Sequence, residues 1–214
     1  MNIKKEIFMK KILFTIIAFP SLMFAEFSAN VGLSSNYVWR GVSQTADELA
    51  VSGGFDYAAE SGFYAGVWGS NVSFNGGDAG GNEFDVYAGY ANDMFDVGVL
   101  NYRYPGENDI DFTEVYVGFT GIENLSIYYY DLATSDFDSE FESEASNYVS
   151  VGYEIGDISV AYGSYGDIGS DILLSYGFAC GKYDCSLSYF DFSGDDVYDE
   201  LDDSGVYISV GASF

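Results

Sequence analysis

The chain has 214 residues, a formal charge of −27 at neutral pH, 48% apolar and 19% aromatic side chains, and no histidine. Without imidazole, Ser-His-Asp triads, Cys-His dyads, histidine general bases and most zinc sites are excluded. So acidic a surface repels nucleic acid and anionic membranes, while the 26 glycines, 20 tyrosines and 18 phenylalanines argue for ordered β-structure over disorder.

Residues 1–25 read as an export signal and not as part of the fold. Lys4, Lys5, Lys10 and Lys11 make a positive n-region, residues 12–19 a short apolar core, and Ala25 offers a cleavage site, although Met23 at −3 is larger than usual. The apolar run is well short of the ~18 residues of a spanning helix. Four of the seven basic residues and one of the 34 acids lie in this segment, so residues 26–214 keep Arg40, Arg103 and Lys182 against 33 acids. No other apolar run of that length follows, so any membrane crossing must be made by strands closed into a barrel.

Twelve stretches alternate apolar and small or polar residues with the period of a strand. The first carries Phe27, Ala29, Val31 and Leu33, and the second Leu49, Val51, Phe55 and Tyr57. The third centres on Phe63, Ala65 and Val67, the fourth on Phe84, Val86, Ala88 and Tyr90, the fifth on Phe95, Val97 and Val99. Val115, Val117 and Phe119 mark the sixth; Leu125, Ile127 and Tyr129 the seventh; Val149, Val151 and Tyr153 the eighth. Ile158, Val160 and Tyr162 follow, then Ile172, Leu174, Tyr176 and Phe178, then Tyr183, Cys185, Leu187 and Tyr189. Val206, Ile208, Val210, Ala212 and Phe214 share the greasy parity of the last.

The connections alternate in length. Short ones fall at Ala59, Asn92, Gly121, Gly156 and Gly181. Between them lie longer glycine-rich or acidic stretches at residues 40–48, 75–82, 105–111, 131–144, 166–170 and 191–204. Outer-membrane barrels have short periplasmic turns and long outer loops, whereas a soluble sandwich with Greek-key links has no reason to alternate so strictly. The pattern predicts an all-β chain, a transmembrane up-and-down antiparallel barrel of about twelve strands over residues 26–214, with aromatic girdles at both interfaces. The closing Phe214 looks like the tag that the barrel-assembly machinery reads.

Two segments carry a narrower resemblance. Ser34-Ser35-Asn36-Tyr37-Val38-Trp39-Arg40-Gly41-Val42-Ser43-Gln44-Thr45 and Gly62-Phe63-Tyr64-Ala65-Gly66-Val67-Trp68-Gly69-Ser70-Asn71-Val72 resemble the N-terminal signatures of the proteobacterial TorF-type porin family, long described as conserved proteins of unknown function. The signatures cover about the first quarter of the exported chain. The resemblance implies a Gram-negative outer-membrane barrel acting as a passive pore, and brings neither a substrate nor catalytic residues. Within it, Tyr37 and Trp39 are expected near the outer interface. Arg40 is expected to fold into the lumen against acidic groups, and both Arg40 and Arg103 either line a constriction or make rim or structural ion pairs.

Asp56, Asp85, Asp96 and Glu114 fall on the inward parity among Gly, Ser and Tyr. Ionised groups facing lipid at mid-depth would cost on the order of 2–4 kcal/mol for basic side chains and less for acids, so a wet lumen is their cheaper place, and carboxylates there favour cations. Paired carboxylates also suit glycosidases, but acids this frequent pair by chance. The acidic stretches 136–144 and 195–203 lack the twelve-residue calcium-loop spacing and read as solvated charge runs. Cys180 and Cys185 flank a four-residue turn on one parity, and a disulfide closing that hairpin is expected in an oxidising compartment. No metal, cofactor or catalytic step is expected. The reading is a porin passing small hydrophilic solutes, cations above all, through an acidic lumen. The alternative is a barrel plugged by inward Tyr and Phe that acts through its acidic outer loops.

Overall fold

Alternation of side chains turns into a closed wall. In the computed structural model residues 26–74, 79–106, 110–136 and 146–214 are described; the export segment 1–25, its cleavage site at Ala25, and residues 137–145 of the acidic stretch lie outside them. The wall strands are β1 (Glu26–Ser34), β4 (Ala50–Ala58), β5 (Phe63–Phe74), β6 (Ala79–Ala91), β7 (Phe95–Arg103), β8 (Phe112–Ile122), β9 (Leu125–Ser135), β10 (Asn147–Ile155), β11 (Ile158–Tyr165), β12 (Gly169–Cys180), β13 (Tyr183–Gly194) and β14 (Asp203–Ser213). Each pairs antiparallel with the next, and β14 returns to β1 with Asn30 opposite Ser213 and Ser34 opposite Ser209, so the twelve strands form a closed barrel. Closure leaves no edge unpaired. At the seam, Phe214 and Ala29 exchange backbone hydrogen bonds of 2.9 and 3.1 Å.

Val206 and Ile208 are 66% and 52% exposed, and the same outward face carries Val51, Phe55, Val67, Val86, Val97, Val117, Leu174 and Leu187, all exposed. A continuous apolar band of this extent belongs against hydrocarbon. The five tight turns join β4 to β5, β6 to β7, β8 to β9, β10 to β11 and β12 to β13. Two of the expected glycine-rich connections are shorter than read: Gly80 to Asn82 pair with Ser73 to Asn71, and Gly169 and Ser170 with Tyr165 and Ser164. Above the lipid band a strand needs only its backbone ladder, so apolar alternation underestimates its length. A short 3-10 helix, Asp196–Leu201, sits in the acidic stretch before β14.

The inner face keeps the Gly, Ser and Tyr parity expected of it, and many tyrosines lie there and not in the interfacial girdles. Tyr64 lies opposite Gly89, Tyr87 opposite Gly66, Tyr116 opposite Gly98 and Tyr128 opposite Gly118. A Cβ at any of these glycines would come within 3 Å of the facing ring, so each ring lies over a bare stretch of backbone. Inward tyrosines crowd β5 through β11, whereas β12 to β14 mix Ser175, Ser186, Ser188 and Ser209 with the buried rings of Phe190, Phe192 and Tyr207.

Cys180 lies opposite Tyr183 and Cys185 opposite Phe178, which makes the two cysteines diagonal neighbours across the β12–β13 turn. They are joined by a disulfide. The ring it closes is short, so it limits the unfolded chain by only about 2 kcal/mol. Reduction, or Cys180→Ser with Cys185→Ser, is expected to lower the unfolding midpoint in micelles modestly while the barrel still forms. Loss of the folded band after reduction would show that this hairpin depends on its covalent staple.

Candidate functional site

The interior is organised by the connection between β1 and β4, which turns into the barrel instead of rising from it. Within it β2 (Val38–Trp39) and β3 (Val42–Ser43) form a hairpin, with Trp39 opposite Val42. Its two turn residues, Arg40 and Gly41, have φ of 48° and 80°, the positive pair that tight hairpins require. Gly41 presses against the far wall: a Cβ there would lie 2.5 Å from Asp171 Cβ and 3.1 Å from the Asp191 carbonyl oxygen. Arg40 accepts the less favourable left-handed conformation that leaves it at the tip.

The base of the hairpin is tied by its own polar groups. Asn36 Oδ1 accepts from Ser43 Oγ at 2.7 Å and Thr45 Oγ1 at 3.1 Å, its Nδ2 donates to Asp47 at 2.6 Å, and the Gln44 amide donates to the Tyr37 carbonyl at 2.6 Å. Three bonds anchor it to the wall: Ser43 N–H to Asp203 Oδ2 at 2.8 Å, Ser73 N–H to the Gln44 carbonyl at 2.8 Å, and Tyr37 OH to Glu83 Oε1 at 3.0 Å. Tyr37 and Trp39 were expected at the outer interface. Both are interior: Tyr37 packs edge-on to Trp68 and Trp39 to Tyr102, because the hairpin carries them inward with Arg40.

Arg40 is the centre of this arrangement. Nη1 donates to Glu114 Oε1 at 2.8 Å and Nη2 to Oε2 at 2.6 Å, a two-pronged pair of the strong kind. The arginine and glutamate side chains are 8% and 7% exposed. Nη1 also donates to Tyr165 OH at 2.9 Å. The guanidinium carbon lies 4.4 Å from the Trp39 ring, 4.6 Å from Tyr130, 4.2 Å from Tyr148 and 5.4 Å from Tyr165, within cation–π range of all four. Burial disfavours the arginine's charge, but the facing Glu114 carboxylate together with the Tyr165 and Tyr102 hydroxyls more than offsets this and holds its pKa above the ordinary arginine value. Glu114 sits where the β8–β9 register shifts between Thr113 and Glu114, a bulge of the sort that re-aims a side chain, and Tyr102 OH braces it at 3.2 Å.

The other expected lumen acids also face inward. Asp56 accepts from Asn30 Nδ2 at 3.2 Å and from Tyr87 OH. Asp96 accepts from Tyr64 OH at 2.6 Å and Tyr128 OH at 3.1 Å, and Tyr64 and Tyr116 share a hydroxyl contact. Asp85 is 2% exposed, with Oδ1 lacking a hydrogen-bond partner among the described residues. Two inward acids were not anticipated. Glu83, 1% exposed, was hidden because the apolar run of β6 begins only at Phe84. Asp171, bonded by Tyr148 OH at 2.8 Å, shares the inward parity of Leu173 and Ser175, opposite to the exposed Ile172 and Leu174, and that parity could have placed it.

Of the two places expected for Arg103, the structure shows the rim ion pair and not the lumen constriction. Arg103 shares the outward parity of Val97 and Val99, is 57% exposed, and pairs with Asp111 at 2.8 Å at the long-loop rim. It lines no lumen. Among the described residues no group of three or more acids or cysteines has the geometry to hold a metal ion.

Solved outer-membrane barrels resemble this chain in fold. The KdgM porin superposes with a TM-score of 0.51 at 10% identity, covering 87% of this chain and 98% of that one. An active-site mutant of outer membrane phospholipase A from Escherichia coli, at pH 6.1, gives 0.50 at 10% identity, covering 100% and 98%. No curated protein matches the sequence. The family model described as "Bacterial protein of unknown function (Gcw_chp)" matches residues 23–175, which take in the inward hairpin with Glu83 and Glu114, and the chain belongs to that family.

Proposed function

We propose that this chain is an outer-membrane barrel of porin type that passes small hydrophilic solutes, cations in preference to anions, along a path narrowed by the inward hairpin. The observation that carries this is the charge of the inner face. Asp56, Glu83, Asp85, Asp96, Glu114 and Asp171 all point inward, and Arg40 is the one basic side chain among them within the described residues. In a low-dielectric cylinder such an excess of carboxylates concentrates cations and repels anions. The reading names lipid outside the girdle, small solutes within, and the barrel-assembly machinery as partners, and assigns no catalytic step.

A sealed structural barrel is the second reading, favoured by the burial of Arg40 and by the tyrosine layers. Planar-bilayer recordings separate the two. Small discrete steps are expected, with a reversal potential in a potassium chloride gradient on the cation side. Silence under all voltages would favour the sealed barrel, and anion preference would sink the assigned field.

A further inference from the structure

The chemistry around Arg40 is that of a receptor with its ligand attached. Four aromatic faces surround the guanidinium, and a carboxylate meets both of its outer nitrogens. Aromatic cages of this composition select organic cations, because ring quadrupoles favour diffuse positive charge that sheds water easily. A carboxylate in the plane of the fork adds selectivity for guanidinium over a spherical ion. Three of the rings (Tyr130, Tyr148, Tyr165) and Glu114 belong to the wall strands β8 to β11, whereas Arg40 and Trp39 arrive on the hairpin. The wall part of the cage therefore persists if the hairpin moves.

We propose that this cage is a binding site for an external solute bearing a guanidinium or alkylammonium group, occupied at rest by Arg40 as a tethered competitor. The inference deepens the cation-preferring passage and rests on it for its physiological sense. It names the class of cation that the passage recognises. A tethered group competes at an effective concentration on the order of millimolar, so free ligand is needed at that level or above to displace it.

The test uses the full barrel in detergent micelles, with no current measured. The chain has two tryptophans, so Trp68→Phe leaves Trp39 as the reporter. With Arg40→Ala in that background, guanidinium chloride at low millimolar concentration should shift Trp39 emission saturably. Sodium chloride at equal ionic strength and urea, the neutral isostere, should not. Adding Glu114→Gln should weaken the response at least tenfold. A response that fails to saturate, is shared by urea, or ignores Glu114→Gln overturns the site. If Arg40→Ala does not fold, the unsubstituted barrel decides. L-arginine amide should then speed hydrogen exchange at the Gln44 amide, which is bonded to Tyr37, several-fold over sodium chloride, and unchanged exchange overturns the proposal. A saturable cage in a barrel that is electrically silent would sink the passage and keep the site; a conducting barrel with no saturable response would do the reverse.

Discussion

Replacing residues 36–48 by a two-residue turn is expected to raise the unitary conductance several-fold without opening the barrel wall. The geometry permits the deletion. Ser34 lies directly opposite Ala50, and the β1–β4 ladder runs unbroken from there to Glu26 opposite Ala58. A tight turn of the Asn-Gly type can therefore join the two strands in their present register. What leaves is Tyr37, Trp39 and Arg40, the side chains that fill the space beside Glu83, Glu114 and Tyr102. Water then reaches carboxylates that the hairpin had desolvated, which lowers the cost of their charge. Because the one inward cation goes with the hairpin, cation preference should sharpen as conductance rises. Bilayer recordings of the deletion beside the parent chain check both. Equal conductance in the two would mean that the hairpin does not obstruct the path.

The wall of this barrel was legible in the sequence because one rule sets it. Period-2 alternation with one apolar parity identifies strand and face together, and twelve such runs with alternating connection lengths close in only one simple way. Arg103 shows that the rule was sharper than its use. Its parity matches Val97 and Val99, so an outward, rim position followed from counting. The tyrosines obey the same count: Tyr64, Tyr116, Tyr128 and Tyr130 have the parity opposite to their outward neighbours, the inward place expected for Tyr beside Gly and Ser. The fate of residues 35–49 was legible only in part. Arg40 was expected in the lumen against acidic groups and lies there on Glu114, but that the turn would carry Tyr37 and Trp39 inward with it depends on what they would meet. The cage that receives Arg40 is assembled from β8, β9, β10 and β11, and no local pattern near residue 40 encodes those distant rings.

Arg40 and Arg103 also make a natural contrast in energy. The Arg103–Asp111 pair is exposed, with its arginine side chain 57% accessible, and pairs of that kind are worth roughly 0–1 kcal/mol. Asp111→Asn should leave stability in micelles nearly unchanged.

Glu114→Gln is expected to destabilise the barrel by about 3–5 kcal/mol, the cost of leaving a buried charge without its partner. The guanidinium would keep its four rings and Tyr165 OH, but cation–π contacts of about 1–2 kcal/mol in a desolvated site do not replace a two-pronged carboxylate. Arg40→Met combined with Glu114→Gln removes both charges and keeps most of the volume, so it should recover much of that loss, since a buried ion pair often contributes little net stability over an apolar pair. The double-mutant cycle isolates the coupling, read from urea unfolding in micelles by the shift of the folded band. The hairpin decides how the loss appears. If Arg40 can leave the cage and reach water, the destabilisation falls below the value for a trapped charge, and exchange at the Gln44 amide rises with it. Should Glu114→Gln prove as mild as Asp111→Asn with exchange unchanged, Arg40 would have to be hydrated where it stands, and the lumen beside it open to water.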